Sequence, residues 1–403
     1  MTEKIYQDDS YCREAVARIT AREEAGGRWR VRCDRTIFCP EGGGQPPDRG
    51  TLNGLPLLVL EADGDDVVHV LAADPGAGEA RMVLDFERRY DHMQQHTAQH
   101  LLSQVLLRDF GAATLSFAIG PEHSSIEIGR PAFGEEEVRS LEDACARLIF
   151  ADRAVRVFQA DDLSGLHLRK PPKVAGRIRV VEIDGVDQSA CGGTHLRSSA
   201  EIGLLKIVGS ERVRANVRLF YAAGARALRD YQLKHEVTQR LQRLVTQPPA
   251  AIPAQVENLL KEKDELRRAL KKARRREMER EVAAASAAGG PGLVVREFSG
   301  LEAAELRFFV TALAKGGRHA LAYQQPPPLP TAADEGGDLP AGARGYVVIG
   351  RGRGDLDLRR LSARVFELLA GKGGGSAGLV EGRGRDFSRI AEVIALLRAE
   401  LGA

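Results

Sequence analysis

Met93-Gln94-Gln95-His96-Thr97-Ala98-Gln99-His100-Leu101-Leu102-Ser103-Gln104-Val105-Leu106-Leu107 decides how this chain is read. Its apolar residues recur at helical spacing, which predicts a helix from Met93 to Leu107. On a helix, His96 and His100 leave one face, about 5–6 Å apart at Cβ. Two imidazoles so placed can reach one metal ion. Further along, Cys191-Gly192-Gly193-Thr194-His195 sets a thiol and an imidazole four apart. The two glycines let the backbone wrap, so both side chains can meet the same ion. His96, His100, Cys191 and His195 together form a donor set that tetrahedral zinc accepts, one Zn2+ per chain. No Glu follows His96 as in the zinc protease pattern, so proteolysis is not indicated. Spacing alone leaves a purely structural zinc open.

Working outward, the chain reads as a multidomain α+β protein. Residues 1–90 are β-rich: short apolar runs at Trp29 to Cys33, Leu55 to Leu60, Val67 to Leu71 and Arg81 to Phe86 alternate with Gly, Asp and Pro turns. A small β-barrel is expected there, with Pro40-Glu41-Gly42-Gly43-Gly44-Gln45-Pro46-Pro47 as a conformationally special loop. Residues 91–224 form an α+β domain around the zinc motifs. It has a second helix at Val138 to Phe150, and strands at Thr114 to Ile119, Ser125 to Ile128, Ile178 to Ile183, Leu204 to Val208 and Val217 to Ala222.

Residues 225–285 read as a helical hairpin arm. Leu228, Tyr231, Leu241, Leu244 and Val245 make one stripe, and Gln247-Pro248-Pro249 breaks it. Leu259, Leu266, Leu270 and Ala273, with Lys263 at one seam position, make a short and imperfect coiled-coil seam. Between Lys261 and Arg280 stand ten Lys/Arg and five Asp/Glu. Residues 283–292 are Ala- and Gly-rich, a linker. Residues 290–403 form a C-terminal α/β domain. Its helices are expected at Leu301 to Lys315, Leu356 to Leu369 and Phe387 to Leu401, and the segment from Pro326 to Gly342 reads as a mobile loop.

The 403 residues suit two or three domains, and 43% hydrophobic with 28% charged residues is a globular composition. No apolar run reaches the roughly 18–20 residues of a membrane span, so no membrane partner is expected. The polar, mixed-charge start MTEKIYQDDS argues against a secretory signal. Five scattered cysteines are no disulfide framework, which points to a reducing cytoplasm. A formal net charge of +2 says nothing of nucleic acid by itself. Gly371-Lys372 is followed by Gly373 rather than Ser or Thr, so this is no P-loop and no nucleotide cofactor is expected.

In order, Pro40-Glu41-Gly42-Gly43-Gly44-Gln45-Pro46, then Asp91-His92-Met93-Gln94-Gln95-His96 through His100, then Cys191-Gly192-Gly193-Thr194-His195 carry a resemblance. So do Leu115-Ser116-Phe117, Val180-Val181-Glu182-Ile183 and Glu201-Ile202-Gly203. The chain resembles the free-standing alanyl-tRNA editing proteins, the AlaX family, relatives of the editing half of alanyl-tRNA synthetase. Gly371-Lys372-Gly373-Gly374-Gly375 is similar to the glycine-rich signature of the C-terminal domain appended to those synthetases, as in the long form of AlaX. Ser376-Ala377 stands where that signature reads on into Arg-Pro. No class II synthetase catalytic domain precedes the editing-like part, so aminoacylation is not expected.

The resemblance implies zinc-dependent hydrolysis of the ester in mischarged tRNA(Ala), chiefly Ser-tRNA(Ala), with Gly-tRNA(Ala) a further candidate. Thr114 and Ser116 are the expected serine-recognising hydroxyls, with Gln99 a further candidate. Gly42, Gly43, Gly44 and Gln45 are expected against the substrate. Lys206, Arg212, Arg214 and Arg218 are expected to face the acceptor end, and Lys271, Lys272, Arg274, Arg275 and Arg276 to grip phosphates. Three alternatives stand beside this: a non-catalytic tRNA-binding protein with a structural zinc, an editing hydrolase of the threonyl type, and an unrelated metallohydrolase.

Overall fold

The computed structural model describes residues 1–171, 176–288, 292–326 and 344–402. The chain divides into two compact units, residues 1–244 and 245–403. Among the described residues it is an α+β protein with several sheets and eight α-helices. None of those helices is long and apolar enough to cross a membrane.

The first unit opens with β1 (Glu3–Lys4) and α1 (Ile5–Asp8). Then come β2 (Glu14–Ala25), β3 (Arg28–Cys33) and β4 (Arg35–Thr36), which pairs with β1. β5 (Gly50–Leu52), β6 (Leu55–Asp63), β7 (Asp66–Leu71) and β8 (Glu79–Leu84) follow. Six of these strands close into a barrel in the order β2-β3-β7-β6-β5-β8. Val31, Ile37, Phe38, Leu52, Val67, Leu71 and Met82 fill it.

α2 (Phe86–Phe110) leaves the barrel directly. The Asp85 side chain caps it by accepting from the Arg88 N–H, and Gly111 in the left-handed region ends it. The helix starts earlier than its apolar period indicates because its first turns are mostly polar, with only Arg89 and His92 buried there. Beyond it lie β9 (Thr114–Ile119), β10 (Ser124–Ile128), α3 (Glu135–Phe150), β11 (Val155–Ala160), β12 (Ile178–Ile183), β13 (Asp187–Ala190), β14 (Leu205–Val213), β15 (Asn216–Ala223) and α4 (Ala225–Val245). One antiparallel sheet runs β14-β15-β10-β9 and another β11-β12-β13. Leu101, Leu102, Val105 and Leu106 of α2 pack with Leu141, Cys145, Ile126, Val181 and Leu219 in the largest core.

The second unit holds α5 (Ile252–Ala287), β16 (Leu293–Phe298), α6 (Ala303–Lys315), β17 (His319–Gln324), β18 (Gly345–Gly350), α7 (Arg359–Leu368), β19 (Lys372–Gly375), β20 (Leu379–Gly384) and α8 (Ile390–Leu401). Its sheet runs β16-β17-β18-β20-β19. Alternation puts Leu321 on one face, over Phe366 and Val393, and Ala320 and Ala322 on the other, against Phe309 and Val310. The glycine-rich Gly371-to-Gly375 stretch is the edge strand. A Cβ on Gly373 would stand 2.1 Å from the Phe366 ring, so glycine lets that ring pack against the strand. From residue 327 the Pro326-to-Gly342 expectation lies outside the described residues, as do residues 289–291 of the expected linker; residues 283–287 of that linker instead continue α5, as their alanines favour.

Candidate metal centre

α2 carries His96 and His100, and the turn after β13 carries Cys191 and His195. The three histidines are 3%, 3% and 2% exposed in that order, and Cys191 is partly buried. One ligand atom from each of the four lies within 4.8 Å of the others. His96 Nε2 is 3.5 Å and His195 Nε2 3.3 Å from Cys191 Sγ. A zinc tetrahedron with bonds of about 2.0–2.3 Å has edges of about 3.3–3.6 Å. The two separations to Cys191 Sγ match such edges, and the four donor atoms lie close enough together to hold one metal ion.

Each imidazole is held from behind through Nδ1. His96 Nδ1 meets Gln45 Oε1 at 2.9 Å, His100 Nδ1 meets Asp187 Oδ2 at 3.0 Å, and His195 Nδ1 meets Thr97 Oγ1 at 3.2 Å. Such outer partners set ring orientation and tautomer in metal sites. Arg169 Nε donates to Asp187 Oδ1 at 2.9 Å, and the Ser189 hydroxyl donates to Oδ2 at 2.9 Å. Arg179 donates to the carbonyls of Cys191 (2.6 Å) and Gly193 (2.9 Å), which fixes the wrap of the motif. A Cβ on Gly193 would lie 2.4 Å from His96 Cε1, so only glycine fits beside that ring.

The electrostatics favour the donor forms of Cys191 and His195, whereas His100 has to give up a proton to join them. Burial opposes ionisation of the Cys191 thiol, yet His96 and His195 pull it well below its usual value. Burial also opposes charge on His100, but its hydrogen bonds to Asp187 and Cys191 outweigh that and hold it up at about 9. Burial and the neighbouring His96 push His195 down to about 3.

The glycine-rich loop reaches this centre from the barrel. Gly42 and Gln45 close a tight turn by exchanging backbone hydrogen bonds of 3.1 and 2.9 Å. Gly44 has φ +86°, and a Cβ there would stand 2.5 Å from the Phe117 carbonyl. The Ile119 N–H donates to the Gly44 carbonyl at 2.8 Å, and Phe117 stacks on His96 with centroids 5.2 Å apart. At the loop's base, Asp48 accepts from the Cys39 N–H at 2.6 Å and from Arg89 Nε at 3.0 Å. Both side chains of that ion pair are fully buried, and Arg89 also donates to the carbonyls of Ser10 and Ile37.

Several expected contacts are placed differently. Gln45 does not face open space: it is 1% exposed, and its amide is spent on His96 and Thr194. Thr114 and Ser116 do not share a face. The β9–β10 register shifts between Glu127 and Ile128, which leaves Leu115 as an extra residue. Such a bulge turns a residue two positions away to the opposite side. Thr114 is buried and donates to Ser103 Oγ at 2.8 Å, whereas Ser116 is exposed and donates to Glu127 at 3.3 Å. Gln99 is buried and donates to the same Ser103 hydroxyl at 2.6 Å. A Cβ on Gly42 or Gly43 would meet no neighbour, though Gly43 has φ +58°, where a side chain is strained.

Among the basic residues, Lys206 pairs with Glu142, and Arg218 pairs with Glu211 and Glu127. Arg212 donates to the Arg214 carbonyl, and Arg214 itself has φ +57°. Arg274 pairs with Glu305, and Arg275 with Glu279 while lying 3.5 Å over the Phe308 ring. Sequence reasoning missed Asp187, Thr97, Arg169 and Arg179. The spacing of Asp187, four before Cys191, is a signal that only the fold makes meaningful.

Residues 178–221 match the family described as "Threonyl and Alanyl tRNA synthetase second additional domain". The alanyl-tRNA editing protein Aarsd1 of Danio rerio is 30% identical over 402 residues, covering 94% of this chain and 90% of that protein. The alanyl-tRNA editing protein AlaX-L of Pyrococcus horikoshii is 36% identical, over 57% of this chain and 62% of its own length. An alanine–tRNA ligase of Pyrococcus abyssi is 29% identical over 98% of this chain and 43% of the ligase. Among solved structures, the C-Ala domain from Aquifex aeolicus alanyl-tRNA synthetase aligns at 21% identity, over 28% of this chain and 97% of that one. Its TM-score of 0.23 is too low to bear on the fold.

Proposed function

The chain belongs to the alanyl-tRNA editing protein family, and from that premise we propose that it deacylates mischarged tRNA(Ala) in trans. Ser-tRNA(Ala) is the chief substrate in this reading and Gly-tRNA(Ala) a second. The observation that carries it is the cluster of His96, His100, Cys191 and His195, whose donor atoms lie within 4.8 Å of one another and which three outer partners back. Zinc, when bound there, supplies Lewis acidity to the ester carbonyl or lowers the pKa of a water toward ~7.

The chain's own residues hold the donors and select the substrate. A buried polar group that pairs with the serine hydroxyl is left unpaired by alanine, which gives strong discrimination. Gln99 and Thr114, buried and already donating to Ser103, are the proposed groups, acting as acceptors through the Gln99 amide oxygen and the Thr114 hydroxyl oxygen; the bulge at Leu115 takes Ser116 out of that role. Arg212 and Arg214, at the β14–β15 turn, and Lys271, Lys272 and Arg276, on α5, are the proposed phosphate contacts. Lys206, Arg218, Arg274 and Arg275 would have to exchange a carboxylate for a phosphate.

A second reading rests on one observation: four protein donors close a zinc shell, as structural sites do. It makes the chain a non-catalytic tRNA-binding protein. Release of labelled serine from Ser-tRNA(Ala), with Gly-tRNA(Ala), Ala-tRNA(Ala) and Ser-tRNA(Ser) alongside, separates the two. Editing predicts loss from Ser-tRNA(Ala) while Ala-tRNA(Ala) survives. Binding without release by the zinc-loaded chain would overturn the enzymatic reading.

A further inference from the structure

We infer that Gln45 is a positioning residue of the metal centre: the barrel loop reaches across to fix the His96 tautomer and aim Nε2 at the shared donor point. The orientation of the amide follows from a donor that has no alternative. The Thr194 backbone N–H points at Gln45 Oε1 over 3.1 Å, while Gln45 Nε2 donates to Thr194 Oγ1 over 2.9 Å. A flipped amide would set N–H against N–H. The atom 2.9 Å from His96 Nδ1 is therefore an oxygen that can only accept, so Nδ1 carries the proton and Nε2 the lone pair.

His100 and His195 draw their outer partners, Asp187 and Thr97, from β13, which leads into the Cys191 turn, and from α2 itself. Gln45 comes instead from the segment between β4 and β5. It is a neutral acceptor where His100 has a carboxylate, so it orients a ligand without adding a second negative charge. The loop is built to hold it there. Gly44 lies against the Phe117 carbonyl, the turn closes on itself, and Asp48 ties the base to Arg89.

The inference rests on the metal-site reading and on nothing about which ester is cut. The test compares Gln45→Leu, which removes the acceptor, with Gln45→Glu, which keeps an acceptor for both His96 and Thr194. Zinc affinity is measured by chelator competition, and ligand geometry by the cobalt(II) spectrum. Gln45→Leu is expected to weaken zinc about 10–100-fold and to alter the cobalt bands, and Gln45→Glu to restore most of the loss. A folded Gln45→Leu chain with wild-type zinc affinity and spectrum overturns the proposal, and a raised KM beside that result reassigns Gln45 to substrate. If Gln45→Leu does not fold, the wild type still decides. In the zinc-loaded, 15N-histidine-labelled chain, His96 is expected to show a slowly exchanging Nδ1 proton. Ligation through Nδ1, with the proton on Nε2, overturns the inference. Failure of the wild-type chain to bind zinc retires it together with the metal centre, whereas lost editing with zinc affinity intact leaves it standing.

Discussion

α2 and α5 are the clearest contrast in the molecule. α2 buries Arg89, His92, Gln94, Gln95, His96, Thr97, Gln99, His100 and Ser103. α5 exposes Val256, Leu259, Leu260, Leu266 and Leu270. Residue type alone would have assigned these environments the other way round. Most polar groups inside α2 survive because they find partners: Gln95 bonds both backbone groups of Ala223, Tyr221 donates to the Gln95 carbonyl, and Arg89 holds Asp48, whereas His92 Nδ1 is buried without a hydrogen bond. Along α5 the burial is confined to Ile252 at its start and to Met278 and Ala285 near its end, the last two packed with Phe309 and Val310 of α6. The helix of the candidate metal centre is thus held by directional bonds as well as by its apolar face, and the long basic helix presents a surface.

The strongest break of that contrast is at Arg89. Arg89→Met leaves Asp48 buried without its cation, and a broken buried pair costs about 3–5 kcal/mol. Urea unfolding should show that loss, together with release of the glycine-rich loop to proteolysis. Next comes a matched pair of leucine truncations. Leu102→Ala, at a fully buried position of α2, should cost about 3 kcal/mol. Leu266→Ala, at a position of α5 that is 62% exposed, should stay within about 0.5 kcal/mol. Similar losses at the two sites would mean that α5 is covered in solution.

The third prediction concerns pH and a buried histidine without charge compensation. His69 sits in the barrel between Thr36 Oγ1 and the Val31 carbonyl, and burial pushes it from 6.5 down to about 4. Its folded pKa lies below its unfolded one, so the unfolded chain binds the extra proton. The stability contribution is therefore full above 6.5 and is lost as pH falls from 6.5 toward 4, amounting to about 2 kcal/mol by pH 5. Denaturation curves of His69→Gln should lack that window. The smallest effect is expected on α5. Replacing Lys271 and Lys272 by Glu should weaken tRNA binding about tenfold and reduce the salt slope by about 1.5, with folding unchanged.

Much of this was legible in the sequence, and the rest was hidden for definite reasons. The four donors stood out because helical spacing and a Gly-Gly wrap are local geometry. Strands such as Thr114–Ile119 and Ile178–Ile183 matched their apolar runs. β2 went unread because two of its inward residues are the small Ala15 and Ala17, Val16 faces outward, and its far end is exposed and charged, so its alternation is faint in the sequence. β19 went unread because glycine carries no side-chain pattern. The bulge at Leu115 is a register event between two strands and leaves no trace in either one alone. The roles of Asp187 and Gln45 depend on which imidazole each one meets, a fact of tertiary structure.

The most direct test is to titrate zinc into the metal-free chain and follow release of labelled serine from Ser-tRNA(Ala), with Cys191→Ala in parallel. A rate that rises with zinc and saturates at one ion per chain, flat in the variant, is the predicted result. Full release by the metal-free chain, or none at zinc saturation, would contradict the account.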